Sequence, residues 1–264
     1  MPKLHKLKMI IGGSSGAGKT SFILSGSVNE MDFNHLGVSF KPVECIIDDG
    51  DSFKFVAWDL KFKEQFRFMY PIFCRGSSSA ILVFDVSSRN SFKELPYWIK
   101  IFRENQKDKS LKAPIILIGM KTDLETWVIS NKEVNKLVKD FDLDGVFYTS
   151  ILDTNKKEKK KEIFKCIIEK IDPFNKIHEL ELYIPEEDGK FWDFVNFFAR
   201  CPICDGKNHG ENLKAFFYSR EPEIVEFREN LLELMEDSKF FDEIYYNSIK
   251  VGIPCCSCFK KIFE

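Results

Sequence analysis

"IIGGSSGAGKTSF", residues 10–22, decides how the rest of the chain is read. It begins on an apolar pair that closes a strand pattern and ends inside the first turn of a helix pattern. Between them Gly13-Ser14-Ser15-Gly16-Ala17-Gly18-Lys19-Thr20 spells G-x-x-x-x-G-K-T. Set between a strand and a helix, that pattern is a phosphate-binding loop. Glycines let the backbone curl tightly. Successive N–H groups of the loop and of the helix start, Ser21 included, then face an anion. Lys19 brings a positive charge toward the outer phosphates. The Thr20 hydroxyl suits Mg²⁺, which prefers oxygen ligands.

Around this loop, strand patterns at 7–11, 37–47, 52–59, 79–86, 113–120 and 146–150 alternate with helix patterns from 19, over 91–105, over 130–142 and over 161–171. The runs "SAILVFDV" and "APIILIGM" are continuously apolar, as strands are when both sheet faces are covered. The stretches 37–47 and 52–59 flank "DDGD" and read as a hairpin. Pro42 has no N–H for a ladder, so its strand belongs at an edge. The expected fold class over 1–172 is therefore α/β: a mostly parallel, doubly wound sheet with one antiparallel edge strand. In the helix over 91–105 Ser91 is expected to cap and Pro96 to distort. The charge run "NKKEKKKE" at 155–162 reads as the solvated start of the last helix. Residues 173–189, with two prolines, read as a connector to a small α-rich module over 190–264.

The 264 residues carry 39 Lys and Arg against 41 Asp and Glu, a formal charge of −2. Near-neutrality offers no global argument for nucleic acid or an anionic membrane. The 27 Phe point to an aromatic-rich core. Apolar runs are of strand length, far short of a spanning helix. The N-terminus lacks a signal peptide's apolar core, and "KKIFE" at the other end is not a prenylation box. The expectation is a soluble cytoplasmic protein with no direct membrane anchor.

Further motifs follow the loop in order: "LGVSFK" (36–41), "WDLKFKEQF" (58–66), "CRGSSSAILVFDVSSRNSF" (74–92), "GMKTDL" (119–124) and "YTS" (148–150). Together they resemble the Ras-like small GTPases, most closely the Rab group, over residues 5 to about 172. There the matching pieces read approximately TIGVDFK, WDTAGQERF, YRGAxGxxxVYDVTxxxSF, GNKxDL and ETSA. The resemblance implies a guanine nucleotide, GTP or GDP, held with Mg²⁺, and protein effectors or regulators as partners. It places Asp59 at the carboxylate that holds Mg²⁺ and Asp123 at the one that accepts hydrogen bonds from the guanine ring. By the same resemblance the stem of Lys121 would cover the base face. Ser150 and Ile151 fall on the base-contacting S-A pair.

The departures from the pattern are equally specific. The family's Asn before Lys121 is Met120, which cannot bridge base and loop by hydrogen bonds. The Thr that ligates Mg²⁺ and senses the γ-phosphate is His35, a poor match for an ion that wants oxygen. The Gly whose N–H approaches the γ-phosphate is Phe62. The Gln that orients the attacking water is Lys63, with three donors and no acceptor. GTP hydrolysis is expected to be slow or absent on the chain's own resources, and no residue is assigned a catalytic role. Two functions are carried forward. One is a small GTP-binding protein whose switching is impaired. The other is a pseudo-GTPase scaffold that binds partners without nucleotide switching.

Eight cysteines remain to be placed. Cys201-x-x-Cys204 and Cys255-x-x-Cys258 are two hooks, and four thiolates match a closed tetrahedral Zn²⁺ site. A metal would also stabilise a module too small for much core. His209 and Cys256 are alternative fourth ligands; free thiols, a disulfide or an iron–sulfur site are the other readings. Cys45, Cys74 and Cys166 fall in strand, loop and helix patterns and read as small apolar residues. The acidic stretch 221–243 argues against a nucleic-acid-binding zinc module.

Overall fold

In β1 (Leu4–Gly12) the apolar residues are divided between two cores: Met9 and Ile11 go to one, Ile10 to the other. The same alternation recurs wherever a strand is covered on both faces, and it makes one sheet the partition between two aromatic-rich layers. The computed structural model describes residues 2–24, 38–48, 50–61, 67, 69–106, 112–174, 177–183, 222 and 225. After β1 come α1 (Lys19–Leu24), β2 (Val38–Ile47), β3 (Ser52–Leu60), α2 (Tyr70–Cys74), β4 (Ser79–Asp85), α3 (Arg89–Lys93) and α4 (Leu95–Asn105). β5 (Ile115–Met120), α5 (Asn131–Asp140), β6 (Gly145–Thr149), α6 (Lys156–Ile171) and β7 (Leu180–Tyr183) complete the described order.

The strands form one sheet in the order β6-β5-β4-β1-β3-β2-β7. β1 pairs in parallel with both β3 and β4, so the ends of three strands converge beside the phosphate loop. Ile11 lies opposite Asp59 and Gly12 opposite Leu82. Trp58, Tyr70, Phe73, Phe84, Trp98 and Phe102 fill one core, beneath α2 and α4. Phe22, Phe53, Phe55, Phe164 and Ile167 fill the other, beneath α1 and α6. Cys45 and Cys74 are buried free thiols and Cys166 is half-buried, as expected of small apolar residues.

Three expectations shift in the structure. The stretch 91–105 is two helices: Ser88 caps α3 by accepting from the Ser91 N–H, and Pro96 sits in the first turn of α4. Proline is tolerated there, where its missing N–H would have had no partner in the helix. Ser91 turns inward, accepting from the Asp85 N–H at 3.0 Å and donating to the Asp85 carbonyl at 3.1 Å. Second, the segment read as a connector contains β7, antiparallel to β2 from Glu44↔Tyr183 to Ile47↔Leu180. Asp48 starts it by accepting from the N–H groups of His178 and Glu179, both at 2.6 Å. Among the described strands β2 is thus the one running against the rest, with β7 outside it. The Ile47 N–H bonds back to Asp51 within the hairpin, so by alternation the even-numbered residues of β2 face the other way. Pro42 therefore lacks its N–H on the outer side, where no β3 bond is lost, and the β7 ladder stops at Glu44, short of it.

Third, the charge run does open a helix, but Lys160 is buried within it, 5% exposed, over the Phe22 ring. His35, Phe62 and Lys63 lie outside the described residues. So do Cys201, Cys204, Cys255 and Cys258, together with His209 and Cys256.

Candidate functional site

The loop between β1 and α1 has a backbone that only its own glycines allow. Gly13 has φ +132°, and a Cβ there would stand 2.1 Å from the Val83 carbonyl oxygen of β4. The chain can turn away from the sheet so sharply because that atom is missing. The Ala17 N–H closes the turn on the Ser14 carbonyl at 3.3 Å. Ser15, Gly16 and Ser21 face solvent, Ala17 and Ser14 are buried, and Gly18 and Thr20 are half-buried. A hollow of about 220 Å³ opens beside the loop, bounded across from it by Asp85, Ser91 and Glu94.

Lys19 folds back along the loop. Its Nζ donates to the carbonyls of Gly13 at 2.8 Å and Ser14 at 2.6 Å. Burial pushes the ammonium down to about 8; Asp59 and Glu94 pull it up, and Lys61 pushes it further down. Glu94 reaches the loop directly, accepting from Ser14 Oγ at 2.6 Å. At the end of β3 the fully buried Asp59 accepts from Thr20 Oγ1 at 2.5 Å and from Ser39 Oγ at 3.4 Å. The structure therefore brings Thr20 and Asp59 together, 39 residues apart in the chain. Two hydroxyls and a carboxylate are an oxygen donor set that fits Mg²⁺.

At the other end of the site, β5 delivers Met120 against the loop. A Cβ on Gly18 would meet Met120 side-chain carbons at 3.2–3.3 Å, and Met120 is only 2% exposed. Where the family pattern has an amide, this chain has an apolar contact between the two halves of the site. Lys121 follows in the left-handed region, φ +66°, and its Nζ meets Asp85 Oδ2 at 2.6 Å. Burial opposes ionisation of Asp85, yet Lys121 and the Ser87 donors hold its carboxyl below the usual range. Asp123 is exposed and accepts from Ser150 Oγ, so the two base-side residues are in contact. Ile151 is beside them and half exposed, 53%.

The base-side turn is organised by a residue that the motif reading passed over. Asp153 Oδ2 accepts from Thr149 Oγ1 at 2.9 Å, the Ser150 N–H at 3.0 Å and Lys159 Nζ at 2.8 Å. Lys159 first, then these donors, hold the Asp153 carboxyl below the usual range. Lys159 also donates to the Tyr148 carbonyl at 3.0 Å, Lys156 to the Ile151 carbonyl at 3.2 Å, and Lys160 to the Ile23 carbonyl of α1 at 3.1 Å. The lysines of the charge run thus tie the turn and α1 to α6. For Asp153 a signal was available, an acidic residue three positions after Ser150 in a turn. For Glu94, 80 residues from Ser14, there was none.

Among the described residues no cluster of three or more His, Cys, Asp or Glu could hold a metal, and no helix is long and apolar enough to cross a membrane. Comparison with known proteins bears on the same region. Residues 8–172 match the Ras family model. The chain is 30% identical over 195 residues to a "Probable Rab-related GTPase" of Acanthamoeba polyphaga mimivirus, covering 72% of this chain and 89% of that protein. It is 30% identical over 180 residues to human "Ras-related protein Rab-19", covering 66% and 79% respectively.

Proposed function

The chain belongs to the Ras family of small GTPases, and from that premise we propose that it captures a guanine nucleotide with Mg²⁺ while hydrolysing GTP slowly by itself. The observation that carries this reading is the shape of the loop and the contact at the start of its helix. Gly13 is wrapped against Val83 with no space for a side chain, Lys19 is held along the loop, and Thr20 and Asp59 are already in contact. Thr20 and Asp59 would hold the Mg²⁺, which would supply positive charge to the phosphates. Asp123, in contact with Ser150, offers a carboxylate that the ring N1–H and the exocyclic 2-amino group of guanine would share, an arrangement that adenine does not match. Met120 fills the base side without bridging it, so affinity rests more on the phosphates than in the family pattern. Slow hydrolysis follows from Phe62 and Lys63, where the pattern has Gly and Gln. With His35 in place of Thr, rearrangement of the two switch segments on the γ-phosphate is reduced as well.

A second reading, a scaffold that binds partners without nucleotide switching, is favoured by one observation: Met120, 2% exposed, packs on Gly18 where the family pattern has an amide. Purified protein separates the two. It is denatured to release and identify any nucleotide, then tested for GDP, GTP and ATP binding with and without Mg²⁺. Guanine-selective, Mg²⁺-dependent binding is expected. A folded chain that binds none of the three sinks the first reading.

We further propose that Cys201, Cys204, Cys255 and Cys258 hold a structural Zn²⁺ in a cytoplasmic protein-interaction module. Support comes from their spacing alone. Metal analysis of the wild type and of Cys201→Ser checks it, and a wild type without zinc defeats it.

A further inference from the structure

Ser14 makes bonds in two directions. Its carbonyl accepts from Lys19 Nζ at 2.6 Å and from the Ala17 N–H at 3.3 Å, both inside the phosphate loop. Its hydroxyl leaves the loop and donates to Glu94 Oε2 at 2.6 Å, the length of a charge-assisted O–H···O⁻ bond. Glu94 is the junction of α3 and α4. Its N–H bonds to the Phe92 carbonyl, and its carbonyl accepts from the N–H groups of Tyr97 at 3.2 Å and Trp98 at 3.4 Å. The backbone behind the carboxylate is therefore held by both helices. One turn further along, on the same face of α4, the buried Trp98 ring lies against Gly12: a Cβ on that glycine would meet ring carbons at 2.8 and 3.1 Å. Glu94 and Trp98 thus grip Ser14 and Gly12, the residues on either side of Gly13. As a charge, Glu94 acts both ways. A carboxylate beside a phosphate site repels the ligand, while Glu94, after Asp59, offsets the burial that disfavours the Lys19 ammonium. What Glu94 alone supplies is the bond to Ser14.

We propose that Glu94 is a positioning residue of the phosphate site: it holds Ser14, and through the Ser14 carbonyl Lys19, where the phosphates of a nucleotide would meet the loop. The inference rests on the nucleotide-binding reading above and deepens it. Without the Glu94 bond, Ser14 keeps its hydrogen bonds within the loop and loses the one that ties it to α4. Ordering the loop then falls on the nucleotide, at a cost in affinity.

The test measures the dissociation constant for GDP, with Mg²⁺ present, for the wild type, Ser14→Ala, Glu94→Ala, Glu94→Gln and the double variant with alanine at both positions. Thermal melts without nucleotide establish that each is folded at the assay temperature; where Glu94→Ala is not, Ser14→Ala set against the wild type decides alone. Each single alanine variant is expected to weaken GDP about fivefold, part of what a hydrogen bond to a charged group is worth. The double variant should lose no more than the larger single loss, because both changes remove one bond. Glu94→Gln, whose amide oxygen still accepts from Ser14, recovers most of the loss. A bond that serves the fold alone would lower the melts and leave GDP affinity as it is, and that result overturns the proposal. So do losses that multiply in the double variant, or Glu94→Gln behaving as Glu94→Ala. A folded wild type that does not bind GDP overturns the nucleotide-binding reading itself and the proposal with it. The wild-type measurement alone tells that failure from the others.

Discussion

Gly13→Ala is the sharpest probe of the phosphate loop, because two costs fall on it and neighbouring positions separate them. The added Cβ would stand 2.1 Å from the Val83 carbonyl oxygen, a backbone atom of a central strand that cannot swing aside. An ordinary contact needs more than an ångström beyond that, so either β4 or the loop must move. The second cost is the dihedral: φ +132° is a region that residues with a Cβ rarely occupy. Together they should destabilise the fold by about 3 kcal/mol or more. Gly16→Ala meets nothing within 4 Å and carries only the left-handed penalty at φ +74°, about 1 kcal/mol. Gly18→Ala lies between them, since its neighbour is the flexible Met120 side chain at 3.2–3.3 Å. Thermal melts of the nucleotide-free protein read the difference. For a domain of this size the expected losses are roughly 10 °C for Gly13→Ala and roughly 3 °C for Gly16→Ala. Equal losses at the two positions would refute the claim that the loop is shaped by its approach to Val83.

Met120→Asn restores a hydrogen-bonding side chain between Gly18 and the base side. GDP affinity is expected to rise about tenfold while stability falls by about 1 kcal/mol for a polar group placed in an apolar contact; unchanged affinity would show that Met120 does not set it. Asp153→Asn removes the acceptor charge under the base-side turn, so GDP binding should weaken severalfold while pyrophosphate binding holds. Because the Asp153 carboxyl is depressed in the fold, its contribution is present above the ordinary carboxylate pKa of about 4 and is lost as pH falls through the lower folded value. A GDP affinity with no downturn in acid would count against it. Lys8 also makes stability rise with pH, but by losing a penalty and not by gaining a bond: burial pushes its ammonium down to about 7, so the folded state bears a penalty below that pH which is relieved as pH rises toward 10.5. Urea unfolding at pH 7 and pH 10 should show the wild type gaining stability, with Lys8→Met flattening that gain in part, because Lys19 and Lys160 titrate in the same sense near 8.

The loop and the sheet were legible because their signals are local. G-x-x-x-x-G-K-T fixes its own geometry, and continuous apolar runs mark strands covered on both faces. Asp59, Asp123 and Ser150 were placed by resemblance; in the structure Asp59 touches Thr20, and Asp123 touches Ser150. Glu94 and Asp85 were missed because tertiary packing alone brings them to Ser14 and Lys121; neither has a helical or strand neighbour that would mark it. Lys160 did have one: Ile163, Phe164 and Ile167 stand three, four and seven positions on, so the apolar stripe of α6 extends back to it. Reading 155–162 by charge instead of by helical period concealed the one lysine that faces inward. β7 was hidden because four residues between prolines carry too little pattern to be told from a connector.

The outer side of β2 has a consequence for the chain at high concentration. A strand edge with free N–H and C=O groups is a template on which further copies can stack into fibrils. Here β7 covers the half from Glu44 to Ile47, and Pro42 removes a donor at the next outward-facing position. An arriving strand would find a broken row of hydrogen-bond sites, too short to hold it. Among the described residues, fold and sequence thus leave β2 itself a poor template for stacking.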